Sequence, residues 1–181
     1  MGGTAVDSVP PALQNWNHAP FTYLNPEGSW FLDKVHGAME LQDSLQSALA
    51  ASIRRRELFM SRTAEPPTEL DMRVFSTPVM GDFVDLSGGD FESLPQSERW
   101  DLGATILDGG AKGVIFRSPY RSGGRSISVF SGEVLGRSLQ TEHYRFVWDG
   151  VAIKAVYCYK DGRTILPKEI FSSEPLIERV A

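Results

Sequence analysis

The sequence predicts an α+β fold: a single compact domain in which a mixed or antiparallel sheet is flanked by helices. The chain has 181 residues, of which 41% are hydrophobic and 23% charged, which is enough for one globular domain with a core and short for two. Its patterned segments run in the order helix, strand, helix and then mostly strands. Parallel α/β enzymes instead repeat a strand–helix alternation. An Asp-Gly pair between two strand-like runs also indicates an antiparallel hairpin.

Two segments carry helical signals. Ser44 is an N-cap residue type and precedes apolar residues at helical spacing, which predicts a helix over 44–62. Pro66 and Pro67 follow and are predicted to end this helix. A second helix is predicted over 95–107, ended by the Gly109–Gly110 pair.

Strand signals occupy most of the remaining chain. Residues 71–79 alternate between apolar and polar side chains, which is typical of a half-buried strand. Further β-rich runs are found at 113–117, 126–131, 144–148 and 151–159. Asp149–Gly150 is predicted to join the last two runs as a two-residue type I′ turn, in which both residues have positive φ.

The two ends of the chain lack this patterning. Residues 1–18 are unpatterned and are predicted to form an N-terminal arm, with residues 161–181 as a polar C-terminal tail. The domain itself is then expected over 19–160.

Composition argues against several classes of protein. A net charge of −5 argues against direct nucleic-acid binding, because proteins that bind nucleic acids usually present a basic face. The single cysteine, Cys158, can form neither an internal disulfide nor a cysteine zinc cluster. The histidines His18, His36 and His143 have no metal-ligand spacing, so no metal site is expected. No apolar run is long enough for a membrane span and the start lacks signal-peptide features, so the expected location is the cytoplasm.

Several stretches, in consistent order over roughly residues 19–156, resemble the RES domain family. Among them, the Gly-Val-Ile step at 113–115 with Ser118 and Gly123–Gly124 is moderately specific, and agreement across several stretches is stronger than any one of them. The matching stretches are 19–31, 44–51 with 54–59, 62–67 with 72–73 and 85–86, 113–124 with 129–130, and 143–144 with 148–150 and 153.

The resemblance implies an ADP-ribosyltransferase-like fold with a pocket for NAD⁺. Family members are bacterial toxins that hydrolyse or phosphorolyse NAD⁺ or ADP-ribosylate a protein, and they are paired with an Xre-like antitoxin. NAD would thus be a substrate or ligand and not a permanently bound cofactor. The resemblance leaves open whether the chain is a monomer or a homo-oligomer.

The family's pocket is lined by an Arg, a Glu and a Ser, and this sequence keeps one of them. The Ser corresponds to Ser118, whereas Trp30, followed by Phe31, stands at the Arg position and Ala51 at the Glu position. Cleavage of the nicotinamide–ribose bond develops positive charge on the ribose, which a carboxylate stabilises. An Arg fork matches the oxygens of a pyrophosphate. Both replacements therefore predict catalysis that is weakened or lost.

Other residues could compensate. Glu40, at or beside a position that is often aromatic in the family, offers a carboxylate, and Arg121 offers a cation for phosphate. Glu57 and the run Arg54–Arg56 fit a solvated helix face better than a pocket. The predicted catalytic residues are Ser118 and Glu40, and the predicted substrate-binding residues are Trp30, Phe31, Ala51 and Arg121.

Three hypotheses about function follow. The first is a RES protein of toxin–antitoxin lineage that keeps a nucleotide- or partner-binding role. The second is an active NAD-consuming toxin with relocated carboxylate and Arg residues. The third is an interaction domain whose resemblance is only ancestral. Ser118 itself is as typical of a turn that closes a strand as of a functional site.

Overall fold

The computed structural model describes residues 15–176, with side chains from residue 18 onward. Its described residues form two compact units. The first unit comprises residues 15–42, 76–117 and 125–139, and the second comprises residues 43–75, 118–124 and 140–176.

Helices and strands alternate irregularly along the chain. In order, the elements are α1 (Asn15–Thr22), β1 (Met39–Gln42), α2 (Leu45–Thr63), β2 (Thr68–Ser76), β3 (Val84–Asp85), α3 (Gln96–Asp108), β4 (Gly113–Arg117), β5 (Arg125–Val129), a short 3-10 turn (Gly132–Val134), β6 (Leu139–Trp148), β7 (Ile153–Cys158), β8 (Thr164–Ile165) and α4 (Pro167–Phe171). The strands form two four-stranded sheets. The predicted α+β class is confirmed, with two sheets rather than one.

The predicted helix starts are confirmed. Ser44 has extended backbone angles, and its side chain accepts a hydrogen bond from the Ser47 amide at the start of α2. This bond satisfies one of the amides that a helix start leaves without an intrahelical partner. α3 follows Pro95 and ends before Gly109.

In the first unit, the sheet has the strand order β1-β5-β4-β3. β5 is antiparallel to both β1 and β4, and β3 is parallel to β4, so this sheet is mixed. Each sheet face packs on its own apolar cluster. One cluster includes Phe31, Val114 and Phe116, and the other includes Val129 and Ile127.

In the second unit, the sheet has the order β2-β6-β7-β8. Its core includes Leu49 and Ile53 from α2, Phe146 and Trp148 from β6, and Ile170 from α4. Trp148 is only 1% exposed, and its indole N–H donates to the Glu65 carbonyl at 3.0 Å. Trp148 therefore fills the core of this unit.

The predicted two-residue hairpin is wrong in detail. β6 and β7 pair as predicted, but they are joined by residues 149–152 and the register shifts between Val147 and Trp148. Gly150 has φ of 97°, whereas Asp149 is not among the described residues with positive φ. The Asp149 carboxylate instead accepts from the Val151 and Ala152 amides at 2.9 and 2.8 Å, and so stabilises a wider turn.

Both chain ends carry structure that the sequence pattern did not predict. α1 occupies residues 15–22, partly within the expected arm, and β8 and α4 occupy part of the expected tail. The signal for α4 was local: Pro167 occupies the first turn, and the Glu169 carboxylate accepts from the Leu166 amide at 2.8 Å. Residues 1–14 and 177–181 lie outside the described residues, as does the side chain of Trp16.

Replacement of the N-cap residue tests how α2 begins. Ser44→Ala should lower the free energy of unfolding by about 1 kcal/mol, because the Ser47 amide loses its acceptor. Urea unfolding measures this change. Ser61→Ala is the matched control, since Ser61 is exposed near the end of the same helix. An equal loss in both variants would contradict the capping role of Ser44.

Candidate functional site

A row of polar side chains lies on one face of the first unit's sheet. Glu40 and Gln42 on β1 stand directly opposite Ser128 and Ser126 on β5. The Ser128 hydroxyl donates to Glu40 Oε1 at 2.9 Å, and the Ser126 hydroxyl donates to Gln42 Oε1 at 2.9 Å. Such cross-strand pairs fix the side chains relative to each other.

This row interrupts a face that is otherwise apolar. Val114 and Phe116 on β4 are the register partners of Ser128 and Ser126, and both belong to the Phe31 cluster. The two serines are fully buried. Buried hydroxyl groups require hydrogen-bond partners, and the side chains of β1 provide them. Sequence reasoning missed this row, although serine at alternate positions of the run Ser126–Val129 was a signal for it.

Glu40 also contacts one of the predicted substrate-binding residues. Its Oε1 atom accepts from the Trp30 backbone amide at 3.4 Å. The Trp30 ring lies 5.9 Å from the Phe116 ring. Phe31 is fully buried, with an edge-to-face contact of 4.9 Å to the same Phe116. The structure therefore brings Trp30 and Glu40 together and places Phe31 in the core beneath them.

A cation that the sequence did not indicate completes this group. The Arg99 guanidinium on α3 lies 4.5 Å over the Trp30 ring, and its Nε donates to the Trp30 carbonyl at 3.3 Å. Burial lowers the pKa of Arg99, although a guanidinium keeps its charge at neutral pH. Trp30, which is predicted to stand at the family's Arg position, thus has an arginine from another element stacked on its ring.

The first unit also contains a small cleft of about 100 Å³. Its wall includes Leu86, Phe91 and Phe116, together with the charged residues Asp90, Glu92 and Arg117. Pockets for drug-sized ligands measure about 300–1,000 Å³. This cleft could accept a single ring or a small group, but not a whole dinucleotide.

In the second unit, Ser118 begins the loop 118–124. Its amide donates to the Gly124 carbonyl at 2.9 Å, and its hydroxyl accepts from the Tyr120 amide at 3.3 Å. Ser118 is 7% exposed. The predicted turn role is therefore present, and the loop connects the antiparallel strands β4 and β5. A catalytic role for Ser118 stays a prediction.

α2 packs closely against this loop. A Cβ atom at Gly124 would lie 2.4 Å from Ser47 Oγ and 3.3 Å from Ser118 Cβ. Ala51 is 5% exposed and follows Ser47 by one helical turn, so the two residues share a helix face. Ala51, which is predicted to stand at the position of the family's Glu, is thus on the side of α2 that faces the loop of Ser118.

The other candidate charges have specific structural contacts. Arg121 donates to the carbonyls of Ser172 and Ser173, each at 2.9 Å. Glu57 accepts from the Ile153 amide at 3.0 Å, so its carboxylate holds the start of β7. The run Arg54–Arg56 is exposed, as expected for a helix face.

Two classes of feature are not found in the part of the chain that the structure describes. No group of three or more His, Cys, Asp and Glu residues between positions 15 and 176 is placed to hold a metal ion. Within the same residues, no helix is both long and apolar enough to cross a membrane.

The close approach at Gly124 gives a test of the loop. Gly124→Ala should lower the free energy of unfolding by about 1–3 kcal/mol, because the new methyl group overlaps Ser47 Oγ. Adding Ser47→Ala should restore part of this loss in a double-mutant cycle.

Gly88→Ala is the matched control, because a Cβ atom at Gly88 meets nothing within 4 Å. Urea unfolding of all variants provides the measurement. If Gly124→Ala proved as mild as the control, the packing of α2 on the loop would be contradicted.

Comparison with known proteins agrees with this architecture. The model of the RES domain family matches residues 8–149. The chain is also 48% identical over 163 residues to a protein of Sinorhizobium fredii (strain NBRC 101917 / NGR234) named "Uncharacterized protein y4oC", and the match covers 90% of this chain and 70% of that relative. By both matches, the chain belongs to the RES domain family.

Proposed function

We propose that this RES-domain protein, of toxin–antitoxin lineage, binds NAD⁺ or a related nucleotide and cleaves it weakly or not at all. One observation carries the proposal: Trp30 and Ala51, which the resemblance places at the family's Arg and Glu positions, are both packed into their surroundings. The Trp30 ring contacts Phe116 and Arg99, and Ala51 is 5% exposed on α2.

The chemical consequence concerns the transition state. Cleavage of the glycosidic bond to nicotinamide needs negative charge beside the ribose, and loss of one such stabilising group typically lowers the rate by about a hundredfold to a thousandfold. Alanine at position 51 supplies no charge. Binding of the nucleotide depends less on this carboxylate than its cleavage does. A chain that has lost the carboxylate can therefore still bind the nucleotide.

Groups suited to a nucleotide remain in the first unit. The Arg99 guanidinium offers donors for phosphate oxygens, and the Glu40 carboxylate offers acceptors for ribose hydroxyls. Phe91 and Phe116 line a cleft of about 100 Å³, which is suited to a single ring. These features support binding of a nucleotide rather than a purely ancestral resemblance. As in the family, an Xre-like antitoxin protein is the partner that we propose.

A second candidate function is an active NAD-consuming toxin, and Glu40 favours it. The Ser128 hydroxyl and the Trp30 amide hold this carboxylate in one orientation, as a group that stabilises charge would need to be held. In this alternative Glu40 replaces the family's Glu, and Arg99 or Arg121 supplies the cation.

Nicotinamide release distinguishes the two functions. The unchanged protein mixed with NAD⁺ should bind the nucleotide in a calorimetric titration and release no nicotinamide above background. Ser118→Ala and Glu40→Gln are measured beside it. Turnover that disappears in Ser118→Ala would contradict the proposed function, and its additional loss in Glu40→Gln would establish the second candidate. Absence of a calorimetric signal for any nucleotide would favour an interaction domain.

Restoring the family's charges provides a converse test. The double variant Trp30→Arg with Ala51→Glu should release nicotinamide at least about a hundredfold faster than the unchanged protein, because both missing groups return. Trp30→Arg with Ala51→Gln is the matched control, since glutamine has the shape of glutamate without its charge. Equal rates in the two double variants would show that the carboxylate at position 51 is not what the chain lacks.

A further inference from the structure

We propose that residues 172–176 form a built-in strap that positions the loop of Ser118, with Gln46 and Arg121 as its anchors. The strap follows α4 in the second unit and lies beyond residues 8–149, the part of the chain that the family model matches. The inference stands on contacts within the second unit and does not rest on the proposed function, whose nucleotide-binding groups belong to the first unit.

Gln46 is the first anchor. It lies in the first turn of α2 and is 7% exposed. Its side-chain Nε2 atom is 3.0–3.2 Å from four main-chain carbonyl oxygens, which belong to Glu169, Ile170, Ser172 and Glu174. Its Oε1 atom accepts from the Leu176 amide at 3.1 Å. One buried amide group therefore fixes the course of the chain from the end of α4 to Leu176.

An amide nitrogen has only two hydrogens, so the four carbonyl groups share them. This arrangement depends on a donor at the centre of the carbonyl oxygens. A carboxylate there would face oxygen lone pairs and would leave buried acceptors unsatisfied. The site is therefore selective for glutamine over glutamate, although the two side chains have nearly the same shape.

Arg121 is the second anchor, and it approaches the strap from the loop. Its Nε and Nη2 atoms donate to the Ser172 and Ser173 carbonyls, each at 2.9 Å. Two parallel bonds from one planar guanidinium fix direction as well as distance. The Arg121 carbonyl in turn accepts from the Gly124 amide at 3.3 Å, so the anchor is part of the loop's own turn.

The residue that follows Gln46 in α2 also packs against the loop that carries Arg121. Ser47 follows Gln46 in α2, and its hydroxyl packs where a Cβ atom at Gly124 would lie. The Gly124 carbonyl accepts from the Ser118 amide at 2.9 Å. The start of α2, the strap and the loop 118–124 thus form one closed set of contacts. Release of the strap should loosen the loop that carries Ser118.

Hydrogen–deuterium exchange of the full-length chain tests the strap. In both Gln46→Glu and Arg121→Gln, the hydrogen-bonded amides of the strap and of the loop should exchange at least tenfold faster, while those of β6 and β7 remain protected. These amides belong to Glu174 and Leu176 in the strap and to Ser118, Tyr120 and Gly124 in the loop. Arg56→Gln is the matched control, since Arg56 is an exposed residue of α2, the helix that carries Gln46. Arg121→Gln also keeps the inference testable if Gln46→Glu does not fold.

A positioning role further predicts that Arg121→Gln keeps an unfolding temperature within a few degrees of that of the control. Faster exchange in 172–176 with unchanged exchange in 118–124 would overturn the inference. Faster exchange throughout the chain, with a lowered unfolding temperature, would also overturn it, because the anchors would then act only on stability. The exchange result stands whether or not the unchanged protein binds NAD⁺, so failure of the strap and failure of the proposed function can be distinguished.

Discussion

A carboxylate and a row of hydroxyl groups are costly to bury on a sheet face that also carries Val114 and Phe116, unless their hydrogen bonds are satisfied. The bond from Ser128 to Glu40, at directly opposite positions of β5 and β1, gives the Ser128 hydroxyl an acceptor and Glu40 Oε1 a donor. It fixes the strand register, because a slip by one residue would turn both side chains to the other face. It also holds Glu40 at the Trp30 amide, and so the candidate site of the first unit depends on it.

The candidate site of the second unit depends on a different constraint, the close packing of a helix start on a glycine. Ser44 caps α2, Ser47 follows within the first turn, and Gly124 leaves room for the Ser47 hydroxyl. The same turn carries Gln46, whose Nε2 atom donates to carbonyl groups of α4 and of the strap. A short stretch of sequence therefore determines the helix start, the shape of the Ser118 loop and the course of the chain after α4.

Much of this architecture could be predicted from local signals. The N-cap at Ser44 and the β-rich runs of β4, β5 and β6 act over a few residues, and sequence shows them directly. The turn at Asp149 was harder to predict from the sequence, because the Asp149 carboxylate stabilises a wider loop than the Asp-Gly pair suggests. α1 was missed since Pro20 lies inside it and proline usually marks the end of a helix.

The candidate site was predicted less fully than the fold. Glu40 was identified because an acidic residue between Met39 and Leu41 is unusual, but its partner Ser128 is distant in sequence and only the strand register joins them. Arg99 could not be predicted as the cation over Trp30, because α3 and residue 30 are adjacent only after folding. Arg121 was expected to hold phosphate, and its bonds to Ser172 and Ser173 depend on a tail that shows no pattern in sequence.

The central claim is that this RES-domain chain retains a nucleotide site around Trp30 and Glu40. The most direct test is a titration of the ¹⁵N-labelled full-length protein with NAD⁺, followed by nuclear magnetic resonance. The Trp30 and Glu40 amides should show saturable chemical-shift changes, with a dissociation constant of about 1 mM or lower. Unchanged shifts at both amides up to saturating NAD⁺ would contradict the claim.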